Sequence, residues 1–171
     1  AGGRPESDEL FGAIAVVAEA LECLGGNGYV EEAPLARLYR DVPLNSIWEG
    51  SGNVQCLDVL RAMQKEPETA RALFAELDAA KGVDVRYDSL LANIEVELSD
   101  KSQSEARARR IVESLGLALQ GSLLLKHGNP AVKEAFCSSR LADSHFAFGT
   151  LSPKNDFDAI IERARPVETE H

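Results

Sequence analysis

The chain has 171 residues and a formal net charge of −10, from 18 Lys plus Arg against 28 Asp plus Glu. This length suits one domain or one and a half, and the acidity excludes a nucleic-acid binder that is basic over its whole surface. The 44% hydrophobic content allows a packed core, three cysteines without a CxxC pair exclude a disulfide scaffold or zinc ribbon, and no run of 18 apolar residues is present to span a membrane.

Apolar spacing is helical almost throughout. Leu10, Ile14, Val17, Leu21 and Leu24 alternate steps of four and three, which puts them on one face of a first helix. Ser7 is its expected cap, Asp8 and Glu9 suit the positive helix start, and Gly25-Gly26 ends it. The stretch before it has no apolar core of a signal peptide, so the expected compartment is a reducing cytoplasm.

Residues 25–53 hold seven Gly or Pro and read as a long structured loop with one short helix over 35–40. A second helix is expected over 53–64, with Val54, Leu57 and Leu60 inward. Glu66-Pro67 starts a third, which stops at Gly82. Asp88 is the expected cap of a fourth, and Ser102-Gln-Ser-Glu105 fits a capping box opening the longest helix, to about residue 126. Asn129-Pro130 starts a sixth; 144–152 is irregular; Asn155 is the expected cap of a last short helix. With no strand pair and no repeat, the fold class is all-α, a helical bundle over 1–64 with a helical extension over 65–171.

Chemistry concentrates in residues 20–63. Gly25-Gly26-Asn27-Gly28 puts three glycines in four residues, which lets backbone approach a ligand closely and frees amide N–H groups for an anion. The plain alternative is a helix stop with no ligand. Glu49 lies between Trp48 and Gly50. An aromatic neighbour would desolvate the carboxylate and raise its pKa, which suits a base; a lone surface carboxylate is the plain alternative. Arg37, Arg40 and Asp41 are expected to form a local ion-pair cluster bracing the loop, and Glu31-Glu32 a solvated face. His127, His145 and His171 have no metal-ligand spacing, so no metal is expected, and Cys23, Cys56 and Cys137 read as small core residues.

Four segments in order carry a resemblance: Gly25-Gly26-Asn27-Gly28-Tyr29, Glu31-Glu32, Arg37-Leu-Tyr-Arg40-Asp41, and Ile47-Trp48-Glu49-Gly50-Ser51. Together they resemble the C-terminal helical domain of the acyl-CoA dehydrogenase flavoenzymes. The Trp-Glu-Gly-Ser-Gly-Asn variant followed by Leu57-Asp-Val-Leu-Arg61 is most similar to the adaptive-response (AidB-like) branch, whose helical C-terminal extension residues 65–171 resemble in length and character.

The resemblance implies FAD as cofactor, an acyl-CoA as substrate and a homo-oligomer, a tetramer in the family. It implies that Gly25, Gly26 and Gly28 meet the FAD pyrophosphate and that Ser51 hydrogen-bonds the cofactor. Glu49 is then the base that removes the α-proton of the thioester, its backbone N–H and the flavin ribityl chain polarising the carbonyl, with Trp48 and Gly50 in the substrate pocket. Ordinary members have Tyr or Phe before the base, so Trp48 narrows the expected acyl pocket. The family's N-terminal helical and middle β-domains have no counterpart in this sequence, so the chain reads as a C-terminal fragment that binds FAD weakly or not at all when alone.

The AidB-like branch also implies an alternative, a duplex-DNA-binding module. Its candidate phosphate contacts are Arg61, Lys101, Arg107, Arg109 and Arg110; over 101–110 four basic residues meet one acidic residue, a local +3. The surrounding charge opposes this. Residues 1–64 carry four basic and ten acidic residues, and 65–171 carry 14 and 18, for nets of −6 and −4.

Overall fold

The computed structural model describes residues 6–48, 51–100, 102, 104–142 and 151–166, the side chains of 6–12 and 46 aside. Every regular element among them is helical: α1 (Glu6–Cys23), α2 (Gly26–Tyr29), α3 (Pro34–Asp41), a 3-10 turn (Val42–Ser46), α4 (Gly52–Lys65), α5 (Pro67–Asp78), α6 (Val85–Ser99), α7 (Ala108–His127), α8 (Pro130–Arg140) and α9 (Phe157–Ala164). The all-α expectation holds. The chain divides into two compact units, Ala1–Ala70 with Asp100–Gly116, and Arg71–Ser99 with Leu117–His171; the division falls inside α5 and α7.

In the first unit α1 packs against α2, α3, the 3-10 turn and α4. Val17 of α1, Ala36 of α3, Val42 of the 3-10 turn, and Cys56 and Leu60 of α4 are buried. The expected inward face of α4 is therefore rotated. Val54 is 49% exposed, and Cys56 takes the core position at 1%. The segment after α1 is also more helical than its Gly and Pro content suggests, because Pro34 and Pro43 sit in first turns, where a missing N–H costs nothing.

In the second unit the core is built around Tyr87, Leu77, Ile94, Ala118 and Cys137, all nearly inaccessible. The last carbonyls of α5 have no partner within their own helix. Other elements supply side chains: the Tyr87 hydroxyl of α6 donates to the Leu77 carbonyl at 2.9 Å, and the Ser122 hydroxyl of α7 donates to the Glu76 carbonyl at 2.7 Å.

Helix starts divide between the expected and the corrected. Asn129 caps α8 as expected, its side chain accepting from the Ala131 N–H at 2.8 Å. The cap of α6 is Asp84 rather than Asp88. Asp84 accepts from the Arg86 N–H at 2.8 Å, while Asp88 reaches back to the Gly82 N–H at 2.9 Å. Asp156, one residue after Asn155, caps α9 through the Ala159 N–H. The capping box at Ser102 does not form. Both its N–H and its hydroxyl donate to Asp100, and α7 begins six residues later, at Ala108.

Candidate functional site

The glycine turn is built by the end of α1. The Leu24 and Gly25 N–H groups close onto the Leu21 and Glu22 carbonyls at 3.2 and 2.9 Å. The chain reverses at Gly25, with φ 57° and ψ −142°, at the edge of a region that only glycine occupies without strain. α2 then returns against α1. At Gly28, which is buried, an added Cβ would stand 2.7 Å from the Leu21 carbonyl oxygen. The fold thus gives a reason for two of the three glycines. Gly25 is required by its dihedrals and Gly28 by close helix packing. Gly26 faces open space, is exposed, and has no such requirement from the fold.

Beyond α2, Arg40 in the last turn of α3 grips Glu31 with both terminal nitrogens, at 2.8 and 2.9 Å. This fork holds the Glu31 carboxyl below its ordinary pKa and raises that of the guanidinium, hydrogen bonding contributing more than charge. Arg37 pairs instead with Asp41 at 3.5 Å, one turn along α3. The expected Arg37–Arg40–Asp41 cluster is therefore held by two direct pairs, Arg37–Asp41 and Arg40–Glu31, and Glu31 is exposed as expected but paired.

The 3-10 turn delivers the next residues. Its C-terminal end closes with the Ile47 and Trp48 N–H groups both donating to the Leu44 carbonyl, at 3.0 and 3.2 Å. Ile47 and Trp48 are 67% and 64% exposed, and Tyr29 is 80% exposed. Glu49 and Gly50 lie outside the described residues. Ser51 is the N-terminal flanking residue of α4, in extended backbone. Its carbonyl accepts from the Gln55 N–H, but its hydroxyl makes no cap bond. A serine at a helix start normally uses that hydroxyl on the helix; here it is exposed and uncommitted to the cap.

Two of the basic residues singled out for phosphate contact already hold other partners. Arg61 is held by Asp58 at 2.8 Å. Arg107 donates to the carbonyls of Asp100 and Ser102, with the Asp100 carboxylate 3.3 Å away. Arg109 and Arg110 stand exposed in the first turn of α7, and Lys101 lies outside the described residues.

Among the described residues no group of three His, Cys, Asp or Glu could hold a metal ion, and no helix is long and apolar enough to cross a membrane. Cys56 and Cys137 are buried as expected, whereas Cys23 is exposed because the last turn of α1 presents it outward.

The Glu31–Arg40 fork and, in the second unit, the Asp84–Arg86–Glu134 cluster carry no helix-face signal in the sequence. Arg86 meets Asp84 at 2.7 Å and Glu134 at 2.9 Å, which lowers both carboxyls and raises the guanidinium. Nine and 48 residues separate the pairs Glu31–Arg40 and Arg86–Glu134, beyond the three- and four-residue spacing that a helix face makes legible.

The C-terminal domain of acyl-CoA dehydrogenases matches residues 12–64. Among curated proteins, AidB of Escherichia coli (strain K12), placed by its name among the acyl-CoA dehydrogenases, is 42% identical over 125 residues, 73% of this chain and 23% of AidB. Acyl-CoA dehydrogenase family member 11 of Caenorhabditis elegans is 34% identical over 121 residues, 71% of this chain and 17% of that protein. The mitochondrial isovaleryl-CoA dehydrogenase of Oryza sativa subsp. japonica is 41% identical over only 54 residues, 32% of this chain and 13% of that enzyme. The chain therefore spans less than a quarter of the length of these relatives. The two longer matches cannot fit within 12–64, so they take in helices beyond α4, as the resemblance to the AidB-like branch implies.

Proposed function

Since residues 12–64 of this chain belong to the acyl-CoA dehydrogenase C-terminal domain family, with AidB-like similarity reaching beyond them, we propose that the chain is the C-terminal part of an FAD-dependent acyl-CoA dehydrogenase. In this reading residues 1–64 close the bundle and carry the site, and 65–171 form the extension. The protein acts as a homo-oligomer, a tetramer, on an acyl-CoA. A cytoplasmic location is part of this reading, since no disulfide links the cysteines and a reducing compartment suits them.

The reaction removes two hydrogens from the acyl chain. Glu49 takes the α-proton onto its carboxylate, and the electrons of that C–H bond become the new α,β double bond as the β-hydride leaves. FAD, when bound, supplies the hydride acceptor. The turn at Gly25, Gly26 and Gly28 offers backbone to the pyrophosphate, and Ser51 offers a hydroxyl to the cofactor. Trp48 walls the acyl group, and Gly50 keeps side-chain bulk away from the thioester.

The observation that carries this reading is the pair of features the fold itself leaves unused. Gly26 has open space where a side chain would sit, and the Ser51 hydroxyl caps nothing. A glycine and a serine without a local structural role, at two of the four motif segments, fit a cofactor that uses exposed backbone at one and a hydroxyl at the other.

The test is anaerobic mixing of acyl-CoA with the flavin-loaded protein, wild type and Glu49→Gln, following loss of oxidised-flavin absorbance. The variant should keep its flavin and lose bleaching by a factor of at least about a thousand, upwards of 4 kcal/mol in barrier. Bleaching at the wild-type rate in the variant would overturn Glu49 as the base. No FAD association in any assembly containing the chain would overturn the flavin reading.

A further inference from the structure

We draw no further inference here: the strongest candidate, the run of exposed apolar side chains Tyr29, Leu44, Ile47 and Trp48 along α2 and the 3-10 turn of the first unit, carries nothing because no feature of the structure shows what covers it.

Discussion

The ring of Tyr87 packs closely against Gly121. A Cβ placed on Gly121 would stand 2.9 Å from Cδ2 and 3.0 Å from Cε2 of that ring. Tyr87 has no exposed surface, its hydroxyl is anchored on the Leu77 carbonyl, and burial pushes its pKa up to about 12. A ring locked at its tip by a hydrogen bond cannot slide away from an added methyl. Gly121→Ala should therefore destabilise the second unit by about 1–3 kcal/mol through overpacking, read as a lower denaturant midpoint. An unchanged midpoint would show that the ring moves freely. Tyr87→Phe should cost about 1 kcal/mol, the net value of one buried hydrogen bond, and the G121A/Y87F pair should be non-additive because the two sites touch.

The three glycines of the turn separate by experiment. Gly28→Ala drives a methyl into the Leu21 carbonyl and should lower the melting temperature clearly. Gly25→Ala forces a side chain onto φ 57° and should cost about 1–3 kcal/mol. Gly26→Ala meets nothing, so its melting temperature should match the wild type, yet flavin retention by the flavin-loaded assembly that contains the chain should fall. Equal flavin retention in Gly26→Ala and wild type would remove Gly26 from the cofactor site while leaving the fold assignment intact.

Acid should weaken the second unit through Arg86. Asp84 and Glu134 both have native pKa values below their ordinary 3.8 and 4.5, chiefly through side-chain hydrogen bonds from Arg86. A depressed native carboxyl contributes stability that is complete above its unfolded pKa and is lost as pH falls through its native one. The contribution is thus present at neutral pH and disappears as pH drops below about 4. Arg86→Met should be less stable than wild type at pH 7 and converge towards it in strong acid. Parallel stability curves would show that the cluster does not carry the acid sensitivity.

Thiol chemistry reports the core directly. Cys23 is exposed while Cys56 and Cys137 are buried, and desolvation lifts the Cys137 thiol to about 11. A thiol reagent at neutral pH should modify Cys23 promptly, and the other two only as fast as the protein opens. Titration should give one reactive thiol in native protein and three in denaturant. Three fast thiols in native protein would contradict the burial of α4 and α8.

What was legible in the sequence was local or chemical. The Asn129 cap was readable because its side chain bonds an amide two residues on, with Pro130 fixing the helix start. Asp84 and Asp88 were harder to tell apart, since both lie near the start of α6 and both bond backbone N–H groups. The choice depends on Arg86, whose side chain also reaches Glu134 on α8. Ser102 looked like a cap because the spacing to Glu105 was right. It turns instead towards Asp100, in a segment whose carbonyls are also gathered by Arg107.

The sequence by itself determined the helical class, from 3.6-residue periodicity, and the family, from an ordered set of four motif segments. Only the tertiary structure decided why Gly25 and Gly28 are glycines and which acid Arg40 holds. Gly28 answers to a carbonyl on a neighbouring helix, Gly25 to its own dihedrals, and Arg40 to an acid across a turn. The contacts of Gly28 and Arg40 are distances in space that periodicity does not reveal, and they exist only once α1, α2 and α3 are packed.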